Sequence, residues 1–153
     1  MQKQGIEKIQ TIGDAYLAVC GLPDEAAYYA KCITNAALKI QAFMNTNHGK
    51  FQIRIHTGPV VAGIVGVKKY ACDIWGDTVN IAARMEQNSE AGKVNISGST
   101  YELVKEKFTS SVRQGGHLLQ EEKGSGKFIF THRGKIQAKN KGEVDMYFVD
   151  GIS

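Results

Sequence analysis

The chain has 153 residues, 42% hydrophobic and 22% charged, with a net charge of +4. That length fits one ordinary domain that buries a core without staples, and the mild charge does not by itself point to a nucleic-acid partner. Three scattered cysteines (Cys20, Cys32, Cys72) with no C-x-x-C exclude a disulfide framework and read as free thiols of a reducing compartment. The four histidines show no metal-ligand spacing, the first ten residues are too polar for a signal peptide, and the longest apolar run, Pro59 to Val67, is too short to cross a bilayer. The expectation is a cytoplasmic protein with no membrane segment in this chain.

In chain order, residues 6–12 and 15–20 read as strands joined by a two-residue turn, Gly13-Asp14. Gly13 can take the positive φ of such a turn, so Asp14 is presented at a hairpin tip. Pro23-Asp24 opens a helix with Asp24 as N-cap, and Ala26, Ala30, Ile33, Ala37, Ile40 and Met44 form its apolar face. His48-Gly49 stops it. Residues 51–57 alternate as a half-buried strand, and after Gly58-Pro59 the run Val60–Val65 reads as an apolar strand. A polar loop follows at Lys68 and Lys69. Further elements are a helix over 77–88, a strand over 93–97, a helix over 99–108, and strands over 128–132 and 144–149. Arg133 to Gly142 reads as a basic, glycine-flanked connection. Residues 109–127 have few apolar side chains and read as a mobile insertion. Within them Gly124-Ser125-Gly126-Lys127 falls short of a phosphate-binding loop, because Phe128 follows the lysine. Strands mixed with helices imply an α+β sandwich of a sheet and packed helices.

On the helix beginning at Asp77, Asn80 and Arg84 are four apart and share one face, while Ile81, Ala82 and Met85 lie opposite. An arginine there can stabilise phosphoryl charge and an asparagine can orient a sugar or phosphate oxygen; spacing alone also fits an ordinary solvated face.

Longer strings decide more. They are Lys8-Ile9-Gln10-Thr11-Ile12-Gly13-Asp14-Ala15-Tyr16, Ile53-Arg54-Ile55-His56-Thr57-Gly58-Pro59-Val60-Val61-Ala62-Gly63, and the run from Asp73-Ile74-Trp75-Gly76-Asp77 to Arg84-Met85-Glu86. The last set is Arg133-Gly134-Lys135-Ile136 with Lys139-Asn140-Lys141-Gly142-Glu143 and Tyr147-Phe148-Val149. Together and in this order they resemble the class III adenylyl/guanylyl cyclase catalytic domain, over nearly the whole chain except 109–127.

The resemblance implies a ferredoxin-like sheet with packed helices, the nucleotide cyclase fold. It implies conversion of ATP to 3′,5′-cyclic AMP and pyrophosphate, with two divalent cations, Mg²⁺ or Mn²⁺. By the same resemblance Asp14 is the second of two metal-binding aspartates, Asn80 orients the ribose, and Arg84 stabilises charge at the α-phosphate. Lys139 holds the terminal phosphates, with Lys135 and Lys141 as supporting or merely solvated charge. Asp73 reads the adenine amino group. Gln10 stands where adenylyl cyclases usually have Lys and guanylyl cyclases Glu, so ATP is favoured and GTP is possible.

The family's first strand, with its first metal aspartate, has no counterpart in this sequence. The chain is therefore expected to be a single partial catalytic domain over 1–153, lacking the first strand and first helix. That absence would leave two sheet edges unpaired and the chain inactive alone. The resemblance also implies head-to-tail dimers, homodimer or cyclase heterodimer, in which Asp14 of one copy faces Asp73, Asn80, Arg84 and Lys139 of its partner. The alternative is a catalytically incomplete cyclase-like module that binds nucleotide or complements an active partner. A ferredoxin-like RNA binder is disfavoured because the expected aromatic-rich strand is missing.

Overall fold

A computed structural model describes residues 6–21, 28–47, 49, 51–66, 71–85, 89–105, 127–138 and 142–152. Among these residues eight strands and three helices follow in the order β1 (Ile6–Ile12), β2 (Ala15–Cys20), α1 (Tyr29–Asn47), β3 (Ile53–Ile55), β4 (Val61–Val65), β5 (Ala71–Trp75), α2 (Asp77–Arg84), β6 (Val94–Ser97), α3 (Gly98–Val104), β7 (Phe128–Ala138) and β8 (Gly142–Ile152). The expected α+β class is what forms.

The strands make three ladders: β1-β2, β4-β5, and a four-stranded sheet ordered β3-β6-β8-β7. In the hairpin β1-β2, Ile12 pairs with Ala15 and Gly13 adopts φ 60°, the left-handed turn that its missing Cβ permits. In the larger sheet β3 runs parallel to β6, in register Ile55↔Ile96, while β6-β8 and β8-β7 are antiparallel. β6 is buried at all four positions because it lies between β3 and β8.

The main core gathers Ala30 and Ala37 of α1, Ile55, Val94, Ile96, Val104, Phe128 and Val149. A second cluster joins Met85 at the end of α2 to Ile136 and Met146 on β7 and β8. Met85 is fully buried, and burying a side chain of that kind contributes about 1.5–3 kcal/mol. It docks the end of α2 on the sheet.

Two sequence expectations are corrected and one strand is added. The buried line on α1 is Ala30, Thr34, Ala37 and Gln41, whereas Ile40 is 39% exposed. The donors of Thr34 and Gln41 find acceptors on the same helix: Thr34 Oγ1 donates to the Ala30 carbonyl at 2.7 Å, and Gln41 Nε2 donates to Asn45 Oδ1 at 3.0 Å, while Gln41 Oε1 is buried with no hydrogen-bond partner among the described residues. Residues 71–75, between the loop at Lys68 and Lys69 and the expected helix, form β5, a strand not expected from the sequence, and pair with β4. β7 continues to Ala138 through the supposed basic connection, with a register shift between His132 and Gly134 and φ 99° at Gly134. The expected cap Asp24, most of the 109–127 insertion, and Lys139 and Lys141 lie outside the described residues.

Candidate functional site

The site-bearing elements follow β3. Gly58 and Pro59 turn the chain out of β3, β4 and β5 form an antiparallel arm, and Gly76 leads directly from β5 into α2. Thr78 ties the two ends of this excursion together. Its Oγ1 donates to the Pro59 carbonyl at 2.6 Å, so the first turn of α2 is fastened to the turn after β3. At its far end α2 is fastened again, by buried Met85 and by Ser89 Oγ donating to the Met85 carbonyl at 2.7 Å. Asn95 Nδ2 donates in turn to Ser89 Oγ at 3.1 Å, linking that end to β6.

Between these fixings the helix behaves as its spacing predicts. Ile81 and Met85 are buried and Ala82 is half-buried, while Asn80 and Arg84 are exposed. An amide and a guanidinium thus leave one face of a helix whose other face is pinned to the sheet. That combination can hold a polyphosphate and neutralise charge on it.

Gln10 is exposed on β1, and Asp14 is exposed at the tip of the β1-β2 hairpin. Asp73 lies on β5 opposite Gly63. β1 packs beside β5, so the strands carrying Gln10 and Asp73 are neighbours. Of the expected site residues, the structure brings the strand of Gln10 next to that of Asp73, and places Asn80 and Arg84 on the helix immediately after β5. No described contact joins Asp14 to α2 within the chain. Lys135 is drawn into the sheet's own surface: Nζ donates to Glu143 Oε2 at 3.1 Å, and that bond, with the carboxylates of Glu143 and Asp145, raises its pKa. It is accounted for without a ligand.

The two cations implied by the resemblance do not find a complete donor set here. Among the described residues no three His, Cys, Asp or Glu side chains gather at one place. Asp14 offers a hard oxygen donor at an exposed turn, and a lone carboxylate does not hold two cations.

Sequence reasoning missed three features. Thr78 is one, although a Thr at the second position of a helix gives no signal of a partner nineteen residues back. A second is His56, whose Nδ1 lies 2.7 Å from Ser97 Oγ on β6 and whose pKa is lowered by burial. Thr57 Oγ1 and Thr100 Oγ1 meet at 2.8 Å beside it. The third is the apolar arm: Val61, Ile64 and Trp75 are 65%, 75% and 44% exposed. The Trp75 ring covers Gly63, where a Cβ would come within 3.0 Å of it.

The model of the adenylate and guanylate cyclase catalytic domain matches residues 1–151. The chain belongs to that family. It is 42% identical over 120 residues to a germination-specific adenylate cyclase of Dictyostelium discoideum, covering 72% of this chain and 14% of that protein. It is 38% identical over 151 residues to the beta-2 subunit of soluble guanylate cyclase from Rattus norvegicus, covering 94% of this chain and 19% of that protein. The guanylate cyclase domain of RhGC from Catenaria anguillulae, solved in complex with GTP, superposes with a TM-score of 0.78 at 32% identity, covering 99% of this chain and 76% of that one. Cyclases of both names are thus relatives, and the chain spans less than a fifth of the length of either curated relative named here. No helix among the described residues is long and apolar enough to cross a membrane.

Proposed function

We propose that this cyclase domain belongs to a cytoplasmic adenylyl cyclase and converts ATP to 3′,5′-cyclic AMP and pyrophosphate at an interface between two protomers. The observation that carries the reading is α2, with Asn80 and Arg84 exposed on one face and Ile81 and Met85 buried on the other. The ribose 3′-oxygen bonds to the α-phosphorus and passes its proton to solvent water. The bond from the α-phosphorus to the bridging oxygen of the β-phosphate breaks, and pyrophosphate leaves with its electrons. Asn80 orients the ribose, Arg84 stabilises the charge on the α-phosphoryl oxygens, and Lys139 holds the terminal phosphates.

ATP is favoured because the Asp73 carboxylate accepts from the adenine amino group and repels a guanine carbonyl oxygen. Gln10 both donates and accepts, so it discriminates less sharply than a lysine. The placement of β1 beside β5 supports this pairing. Asp14 contributes one ligand to a divalent cation, and a second protomer brings it to the nucleotide held by Asn80 and Arg84. The exposed apolar arm of Val61, Ile64 and Trp75 supports such a dimer, since side chains of that kind favour burial against a partner.

The lack of a metal-binding cluster among the described residues favours a second reading, an incomplete module that lends Asn80 and Arg84 to an active partner. One complementation assay tests both. The chain is mixed with a family member whose own asparagine and arginine at these positions are replaced by alanine, and product is measured with ATP and with GTP. Cyclic AMP from the mixture supports the shared site; turnover by the chain alone would single out the first reading. No product from either nucleotide in any mixture refutes both.

A further inference from the structure

Midway along β7 one residue falls out of the ladder. His132 pairs with Tyr147 and Gly134 with Met146, so Arg133 between them faces no residue of β8. Gly134 beside it takes φ 99°, a backbone that side chains resist. An extra residue of this kind bends a strand and re-aims a side chain, and it persists for what it aims. Here the Arg133 guanidinium lies 4.2 Å from the centroid of the buried Phe148 ring, and Nη1 donates to Glu90 Oε1 at 2.9 Å. A flat, forked cation suits both contacts at once. Glu90 is itself held in a turn, its carbonyl accepting from the Lys93 N–H at 3.2 Å. Its neighbour Ser89 donates to the carbonyl of Met85, the residue after Arg84. Met85 packs on Ile136, also of β7. The end of α2 is thus tied to β7 twice, once by packing and once by charge.

We propose that Arg133 is a positioning residue for Arg84, acting through Glu90. This role rests on the cyclase reading, in which Arg84 meets charge on the α-phosphoryl oxygens. The side chains of the pair are 31% and 51% exposed, so the ion pair adds little to global stability. What it does is fix the last turn of α2, and with it the direction of the Arg84 side chain. A guanidinium displaced by about 1 Å from a phosphoryl oxygen forfeits much of its effect on the rate. β7 ends at Ala138, one residue before Lys139. The clasp therefore joins the helix that carries Arg84 to the strand that leads to Lys139, the two cations assigned to opposite ends of one triphosphate.

The test puts variants of the 1–153 chain into the complementation mixture described above. Glu90→Ala, and Arg133→Met, which keeps an apolar stem over Phe148, are each expected to lower kcat with ATP by about tenfold or more at unchanged KM. The double variant should lose no more than either single one, and the unfolding midpoints should stay within experimental error. In an Arg84→Ala background Glu90→Ala should have no further effect, whereas a merely structural role would lower kcat there as well. Amide exchange at residues 81–85 should quicken by about threefold or more in Glu90→Ala, with residues 94–97 unchanged. The proposal is overturned by any of four results: unchanged kcat, a loss of equal size in the Arg84→Ala background, a loss that follows the unfolding midpoint, or unchanged exchange at 81–85. No product from the parent mixture would refute the cyclase reading, and the role for Arg133 in the reaction falls with it. The exchange measurement, which needs no turnover, then still decides whether the clasp holds α2.

Discussion

Replacing Gly58 by alanine is expected to loosen the tie that holds α2 in place. A Cβ at Gly58 would lie 2.6 Å from Thr78 Oγ1 and 3.4 Å from its Cγ2. The Gly58 backbone is outside the left-handed region, so the cost is steric alone. Thr78 is buried and β-branched, and its hydroxyl is already committed to the Pro59 carbonyl at 2.6 Å. It escapes the new methyl only by giving up that bond. Overpacking costs about 1–3 kcal/mol and a lost hydrogen bond about 1 kcal/mol, so Gly58→Ala is expected to destabilise by about 2–4 kcal/mol. Thr78→Ala alone should cost about 1 kcal/mol. In the double variant the new Cβ meets only the Cβ of residue 78, which in the parent lies at an ordinary contact distance of 3.5 Å. The double variant should therefore be little worse than Thr78→Ala, a coupling of about 2–4 kcal/mol. Urea unfolding followed by circular dichroism, with unchanged slope, measures all three. If Gly58→Ala costs the same in both backgrounds, or costs nothing, the hydroxyl is not what fixes the helix.

Asn80→Ala and Arg84→Ala, both at exposed positions, should each lower cyclic AMP formation in the complementation assay by about a hundred- to a thousandfold, while the unfolding midpoint stays within experimental error. Gln10→Lys is expected to raise the preference for ATP over GTP, read as the ratio of kcat/KM values, because a lysine can only donate to the base. His56 gives a pH signature. Burial lowers its pKa below the ordinary 6.5, so the unfolded chain binds its proton first. Stability should thus fall as pH drops below about 6.5 and stop falling once the pH is below the folded value. The His56→Gln variant should lose that part of the pH dependence, and a parallel loss of stability in both proteins would assign it to other groups.

Much of the architecture was legible where one local signal decided it. Gly13 marked the first hairpin, and the spacing of Ile81 and Met85 gave both the existence and the orientation of α2. The remaining errors came from partners distant in sequence. Counting apolar side chains on α1 selected Ile40, which is exposed, and overlooked Thr34 and Gln41, whose hydroxyl and amide N–H groups find acceptors on the same helix. β5 carries too little alternation to be seen, and it exists because β4 lies across from it. From Arg133 to Ala138 a period of two was present, with Gly134, Ile136 and Ala138 inward, but the polar residues Arg133, Lys135 and Gln137 alternating with them masked it. For the candidate site, only the resemblance to the cyclase family singled out Gln10, Asp14, Asp73, Asn80 and Arg84; spacing alone left Asn80 and Arg84 as an ordinary solvated face. The fastening of α2 through Thr78, and the His56–Ser97 contact, depend on folding and left no trace in spacing.

β3 and β6 are parallel neighbours, with Ile53 opposite Val94, so residues 56–93 must leave the sheet beyond Ile55 and cross back to its opposite end to begin the adjacent strand. The arm and α2 are thus a closed excursion, anchored at both feet in one ladder. Lengthening the arm, or altering what it displays, leaves the pairing beneath it unshifted. Specificity can therefore drift in this fold without renegotiating its core, and in folding the excursion is ordered only after its two feet have met, at a loop-closure cost that grows slowly with its length.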